Sequence, residues 1–324
     1  MIGSWQKKAR EQMAKPKKGQ TIIIRSHDMI NRRFYDGFDH KFLYRKAQTL
    51  MFLVREQERF TELVKQAEQA HEDGADLPLL SQDIDDKYFE RLRAEVYFCE
   101  MHQFEGFFAL LLAVFQGIPH WLYLTLYETR EIKQAVERYL AGNITAVTSG
   151  TLSTVEDFIT RTVYGGFSPE ERLENSQWVE SIECIDWFIK RVGERYLKAE
   201  EYNAYKHGLR VLTGHSRFIV QPNDPTTGTP QGTPRILWDS EDSVSFLDFE
   251  DKGEGRQAVV EVTKHFNPQE SFEHIQIMQL ILDEVMRIRR ALLKHESPEH
   301  VRTIFINKDE LHALRKFFTL SLTV

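Results

Sequence analysis

The chain is poor in cysteine, glycine and proline. Its 324 residues include two cysteines, Cys99 and Cys184, and no Cys-x-x-Cys pair, which excludes a disulfide scaffold and a zinc ribbon. The 17 glycines and 10 prolines make up about 8% of the chain, below the roughly 12% of an average protein. We therefore expect few turns and long helices.

The chain also lacks a long uninterrupted apolar run. The longest apolar segment, 104–127, is broken by Glu105, Gln116 and Pro119, so no membrane span is predicted. No apolar stretch follows Met1, so we predict no signal peptide. We expect a cytoplasmic protein that does not contact a membrane.

An excess of basic residues is absent as well. Lysine and arginine number 42 and aspartate and glutamate 49, which gives a net charge of −7. This balance argues against binding dominated by non-specific contacts to nucleic acid phosphates. Residues 1–20 are the local exception, with six basic residues against Glu11. They are interpreted either as a solvated tail or as a phosphate-binding arm.

Apolar residues recur at helical spacing through most of the chain. The pattern predicts helices over residues 38–71, 85–116, 119–141, 153–164, 169–212 and 268–295, and a last helix over 308–318 that Asn307 caps. Short β-branched segments predict strands over residues 21–25, 217–220, 235–239, 244–249 and 258–264, with a turn at 239–243. The predicted fold is mainly α: a multi-helix bundle with a small antiparallel β-meander inserted between two long helices.

Four segments follow from this pattern. Residues 1–37 form a basic N-terminal arm with a short extended segment, and residues 38–212 form the helical bundle. Residues 213–265 form the β-meander insertion, which includes a proline-rich loop at 221–234. Residues 266–324 supply C-terminal helices that complete the bundle.

Glu95, His102 and Glu105 are the most unusual polar residues in an apolar helix. They fall within roughly 80° of arc, because each residue of a helix advances by about 100°. An imidazole and two carboxylates could bind a metal or form an acid–base pair. The alternative is a buried polar face whose hydrogen bonds are satisfied within the protein.

A second polar group lies between residues 202 and 210. Asn203, His207 and Arg210 are spaced four and three residues apart and share one helix face, with Tyr202 and Lys206 beside them. Asparagine and arginine can hold a phosphate, and histidine can transfer a proton near neutral pH. The cations could equally serve the end of a helix, where positive charge is favoured.

The segment Asn203-Ala-Tyr-Lys-His207 resembles the second part of the Arg-Asn-x-x-x-His signature of HEPN-type helical domains. Those domains are small helix bundles that often act as metal-independent ribonucleases or nucleotide-binding modules, commonly as dimers. The resemblance implies Asn203 and His207 as site residues. Tyr202 stands at the arginine position of the family, so Lys206 or Arg210 would have to supply the cation.

Three functions remain open from the sequence. The first is an interaction or regulatory protein that presents residues 213–265 to a protein partner. The second is a HEPN-like RNA- or nucleotide-handling domain, with His207, Asn203 and Arg210 as catalytic residues and Lys206 and Tyr202 as phosphate contacts. The third is a metal-dependent enzyme built on the carboxylates and imidazole of the apolar helix. No cofactor is predicted, and a homodimer is compatible with each function.

Overall fold

We analysed a computed structural model of the chain. The structure describes residues 27–73, 84–168, 175–206, 211–220, 233–251, 257–295 and 305–306. The predicted strand at 21–25, the predicted helix at 308–318 and all but two residues of the loop at 221–234 lie outside the described residues, as does the basic segment 1–20.

The chain is mainly α-helical and carries one small antiparallel sheet, which confirms the predicted fold class. In the described residues the helices are α1 His27–Gly37, α2 Phe42–Arg55, α3 Gln57–Glu72, α4 Asp86–Ala113, α5 His120–Leu126, α6 Thr129–Leu140, α7 Ile144–Val147, α8 Val155–Thr162, α9 Ser176–Leu197, α10 Glu200–Lys206 and α11 Pro268–Leu293. The strands are β1 Val211–Val220, β2 Arg235–Asp251 and β3 Gln257–His265. Within the described residues, no helix is long and apolar enough to cross a membrane.

Side-chain caps begin α8 and α9. The Thr154 hydroxyl accepts a hydrogen bond from the backbone N–H of Asp157 at the start of α8, one residue after the first residue of the helix predicted over 153–164. The Asn175 side chain accepts from the backbone N–H of Trp178 at the start of α9. Both caps satisfy backbone donors that a helix start leaves without partners.

Each of three segments predicted as a single helix contains two helices in the structure. The segment 38–71 is divided at Glu56, which has φ −100° and ψ 27° and separates α2 from α3. The segment 119–141 is divided at Glu128, whose backbone is extended before α6 begins. The segment predicted over 169–212 contains α9, α10 and the first residues of β1. Hydrophobic spacing continues across these breaks, so it does not reveal them.

The sequence pattern did not predict α1. Its inward face carries Asn31, Phe34 and Tyr35, which are buried at positions three and four residues apart. The side-chain oxygen of Asn31 accepts a hydrogen bond from the backbone N–H of His120, at 2.7 Å. The polar residues between these positions mask the apolar face in the sequence.

The strands form a sheet of order β1-β2-β3 in which both pairs are antiparallel. Phe246 of β2 pairs with Val211 of β1 and with Val262 of β3, so these three side chains point to one face of the sheet. Val211, Val244 and Phe246 are buried on this inner face.

β2 is a single strand where the sequence predicts two strands and a turn. Between the pairs Gly214↔Ser243 and Ser216↔Ser240, β1 has one residue and β2 has two. This is a β-bulge, and its extra residue increases the local twist of the hairpin. The polar residues 239–243, which resemble a turn in sequence, therefore lie within a strand.

The chain divides into two compact units. The first comprises residues 1–43, 101–198 and 274–324, and the second comprises 44–100 and 199–273. The first unit has a core rich in aromatic residues from α4, α8 and α9, and Cys184 is buried in it. The second unit contains the sheet, α2, α3, α10 and the buried Cys99.

Gly165 allows a close approach within the first unit. It has φ +65°, and a Cβ atom added there would lie 2.5 Å from Cγ2 of Ile288 and 2.8 Å from Cδ1 of Leu292. The chain after α8 therefore lies directly on α11, in a conformation that glycine adopts without strain.

We expect Gly165→Ala to lower the free energy of unfolding by about 2 kcal/mol, because it adds both a clash and an unfavourable φ. Gly106→Ala is the matched control, because a Cβ at this exposed position in α4 meets nothing within 4 Å. The control should raise stability by about 0.5–1 kcal/mol. Urea denaturation midpoints measure both changes, and an unaltered midpoint for Gly165→Ala would contradict the assigned packing.

Candidate functional site

The residues predicted from the HEPN resemblance are only partly described. Tyr202, Asn203 and Lys206 lie in α10. The side chain of Asn203, and the whole of His207 and Arg210, lie outside the described residues. The proposal that these three side chains share one site therefore stays a prediction.

Tyr202 and Lys206 contact each other within α10. Tyr202 is buried, and Nζ of the exposed Lys206 lies 4.4 Å from the centre of its ring. This is a cation–π contact, which is favourable by about 0.5–1 kcal/mol at an exposed site. It holds the ammonium group against the helix, and a phosphate contact by Lys206 stays a prediction.

Tyr205 connects α10 to α4 in the second unit. Its ring stacks on Phe98, with centroids 3.8 Å apart, and its hydroxyl donates to the carboxylate of Glu95 at 2.9 Å. Burial, and then the hydrogen bond to Glu95, raise the pKa of Tyr205 to about 12. Burial also raises the pKa of the nearby Cys99 to about 11, so this thiol is a poor nucleophile at neutral pH.

Glu201 fixes the other end of α10. Its carboxylate is 2% exposed and accepts hydrogen bonds from the Tyr97 hydroxyl and, at 2.5 Å, from Nζ of Lys264. The ammonium group of Lys264 also lies 5.7 Å from the ring centre of Phe246. The buried charge is therefore paired, and the pair joins α10, α4 and β3.

The structure does not arrange Glu95, His102 and Glu105 as a metal site. Glu95 pairs with Lys46 and Arg91 at 3.3 and 3.2 Å. Glu105 is buried and accepts from the Thr129 hydroxyl at 2.7 Å, whereas His102 is exposed. In the described part of the chain, no group of three histidine, cysteine, aspartate or glutamate side chains could hold a metal ion. Basic and hydroxyl groups contact both carboxylates, so the geometry of the described residues gives no support to a metal site at Glu95, His102 and Glu105.

A polar pocket that the sequence did not indicate lies in the second unit. Its volume is about 720 Å³, and it lies between the first turns of α4 and the hairpin of β1 and β2. His215, Arg217 and Asp239 line it from the hairpin, and Glu90 and Arg93 line it from α4. The bulge in β2 places Asp239 and Asp242 beside α4, where Asp242 pairs with Arg93.

His215, Arg217 and Asp239 line this pocket and contact one another. Nε2 of His215 is hydrogen bonded to Asp239, and Nη2 of Arg217 lies 2.7 Å from the same carboxylate. An imidazole oriented by a carboxylate can act as a base, but the Asp239 carboxylate is shared between the side chains of His215 and Arg217. The lining has charges of both signs, so it favours neither a simple anion nor a simple cation.

The opposite, outer face of the sheet exposes apolar side chains to solvent. Leu212 of β1 is 71% exposed, Leu247 of β2 is 65% exposed and Val259 of β3 is 59% exposed. The pairs Leu212↔Ser245 and Leu247↔Glu261 place these residues on one face. We call Leu212, Leu247 and Val259 the apolar stripe, because they run diagonally across all three strands.

Comparisons of the chain with protein families, curated proteins and solved structures found no match.

The pairing of Asp239 with His215 can be tested through the pKa of the Asp239 carboxyl. Hydrogen bonds from His215, and then from Arg217, lower the pKa of the Asp239 carboxyl below its ordinary value. We expect His215→Gln to raise that pKa in an NMR titration of the carboxyl carbon, because the larger of the two contributions is lost. His295→Gln, at the exposed end of α11, is the control and should leave it unchanged. An unchanged pKa in His215→Gln would show that the two side chains do not pair in solution.

Proposed function

We propose that the chain is a protein-interaction module whose outer sheet face binds one amphipathic, basic helix of a partner protein. The single observation that carries the proposal is the apolar stripe. Three aliphatic side chains on adjacent strands are each more than half exposed, and contiguous apolar surface of this kind marks contact sites. Two-layer packing of helices on sheets is the usual way to cover such a face.

The width of the sheet favours one helix as the occupant. Three strands spaced about 4.8 Å apart span roughly 10 Å between their outer axes. An α-helix with its side chains is about 10–12 Å across. A single helix laid over the sheet therefore covers the stripe from β1 to β3.

The charge beside the stripe favours a basic partner. Glu261 is exposed, lies directly across from Leu247 and forms no ion pair within the described residues. A lysine or arginine at the edge of the partner's apolar face would meet this carboxylate. A second copy of the chain would bring another acidic surface, since each copy carries a net charge of −7.

The same chemistry disfavours nucleic acid on this face. The described outer-face side chains that neighbour the stripe are Ser245, Thr263 and Glu261, with His265 two residues beyond Thr263 on the same face, and none of these is a lysine or an arginine. Binding to a phosphate backbone requires lysine or arginine contacts. The RNA-handling alternative therefore depends on residues 202–210 and not on the sheet.

A synthetic helical peptide with leucines on one face and lysines on the other is the probe for this proposal. We expect Leu212→Ser combined with Leu247→Ser to weaken its affinity at least tenfold, because burying each leucine contributes about 1.5–3 kcal/mol. Leu280→Ser on α11 is the matched control, because Leu280 is 49% exposed and belongs to the other unit. Fluorescence anisotropy of the labelled peptide with the full chain measures the affinities.

Three outcomes would overturn this proposal. The peptide could fail to bind the wild-type chain, or the double variant could bind it as tightly as the control does. A wild-type dimer in light scattering that the double variant dissociates would instead identify a second copy as the occupant.

Glu261→Gln should reduce the salt dependence of peptide binding, whereas Glu58→Gln on α3 should not.

A further inference from the structure

The polar pocket of the second unit has room for a small molecule. Its volume of about 720 Å³ lies within the range of roughly 300–1,000 Å³ that is typical of ligand sites. All of its lining residues belong to the second unit, and none of them belongs to the apolar stripe. A ligand in this pocket is therefore separate from the partner helix that we propose for the outer sheet face.

The two arginines of the pocket are each held by an aspartate. Nε of Arg93 donates to Asp242 at 2.5 Å, and Nε and Nη2 of Arg217 both contact one oxygen of Asp239. A guanidinium group has five N–H donors in one plane, so each arginine keeps donors that its aspartate does not use. Such donors suit a ligand carboxylate, because parallel N–H groups match its two oxygens.

Three carboxylates of the lining have no partner among the described residues. Asp86 and Glu90 lie four residues apart on α4 and so share one face of the helix, and Glu241 lies on β2. Within the part of the chain that the structure describes, none of the three carboxylates forms an ion pair or a hydrogen bond. The pocket therefore offers anionic acceptors from its helix side and from its sheet side.

Gly214 gives the Glu90 carboxylate room beside β1. The glycine has φ +146°, a conformation that other residues rarely adopt. A Cβ atom added there would lie 3.0 Å from Oε2 of Glu90, so a larger residue would press on the carboxylate. The bulge of β2 lies opposite and contains Glu241. Bulges often direct side chains towards a site in this way.

The lining as a whole is more negative than positive. Its carboxylates are those of Asp86, Glu90, Asp239 and Glu241, and its guanidinium groups are those of Arg93 and Arg217. A phosphate or a dicarboxylate would meet the unpaired carboxylates, and a simple diamine would leave the arginine donors without an acceptor. Free lysine and free arginine match both features, because each has one carboxylate and two cationic groups at neutral pH.

We propose that the polar pocket binds a free basic amino acid, lysine or arginine. Arg217, which is oriented by Asp239, binds the α-carboxylate of the ligand. Glu90 and Glu241 accept hydrogen bonds from its two cationic groups, one from the helix side and one from the sheet side. Phe89 is 4% exposed and forms an apolar part of the wall, on which the aliphatic part of the ligand packs.

Isothermal titration of the full chain with arginine and with lysine tests this site. We expect a measurable affinity for at least one of them, and the amino acid that binds more tightly is the ligand. Agmatine is arginine without its carboxylate, and citrulline lacks the charge on the side chain. Each should bind at least tenfold more weakly than arginine, because each lacks one charge-assisted contact. Cadaverine and norleucine are the corresponding probes for lysine.

Two variants locate the ligand in the pocket. Arg217→Gln should weaken binding of the amino acid about tenfold or more and reduce the preference for arginine over agmatine, because the carboxylate contact is lost. Arg59→Gln is its matched control, since Arg59 is an exposed arginine of α3 outside the pocket lining in the same unit. Glu90→Gln should also weaken binding about tenfold, whereas Glu72→Gln at the exposed end of α3 should not.

The proposal is overturned if neither amino acid binds. It is also overturned if agmatine or citrulline binds as tightly as arginine while cadaverine or norleucine binds as tightly as lysine, or if Arg217→Gln binds as tightly as Arg59→Gln. The comparison of ligands uses the wild-type chain, so it decides the question even if a variant does not fold. None of these results depends on the leucines of the apolar stripe, so this proposal and the proposed function fail separately.

Discussion

The paired, buried carboxylate of Glu201 is the interaction on which the second unit depends. It takes one hydrogen bond from Tyr97 on α4 and one from Lys264 on β3, so it joins a helix to a strand far away in the sequence. Removing the partner of a buried charge costs about 3–5 kcal/mol. Lys264 pairs with Val244 in the sheet, so its side chain points to the same inner face as those of Val244 and Phe246, whereas Leu247 points to solvent. The polar pocket and the outer face both follow from that orientation.

Much of the fold could be read from the sequence, because it is encoded locally. Apolar residues at three and four spacing predicted the helical majority, and β-branched segments located the strands to within a few residues. The predictions of local structure were wrong where tertiary contacts determine it. Helices are interrupted at Glu56 and Glu128 although the apolar pattern continues across both residues. The helix α1 is stabilised by hydrogen bonds of Asn31 and Tyr35 with His120. A bulge in β2 absorbs residues 239–243, which have the composition of a turn.

The candidate sites could be predicted less well than the fold. The carboxylates of Glu95 and Glu105 share a helix stripe with His102, yet each carboxylate is engaged by its own donor. The polar pocket combines residues of α4, β1 and β2, whose separation in sequence hides any spacing rule. Chemistry assembled from distant segments becomes visible only when the packing is known.

The sheet has a further consequence for the behaviour of the purified chain. In the described residues β1 and β3 are its outer strands, and an outer strand with nearby apolar side chains can pair with another molecule and begin aggregation. Charged side chains on such strands oppose this growth, and Arg217 on β1 and Glu261 on β3 are placed to do so. The carboxylate of Glu261, which we propose as the contact for a partner's cation, therefore has a second effect, because it opposes pairing of β3 with another molecule.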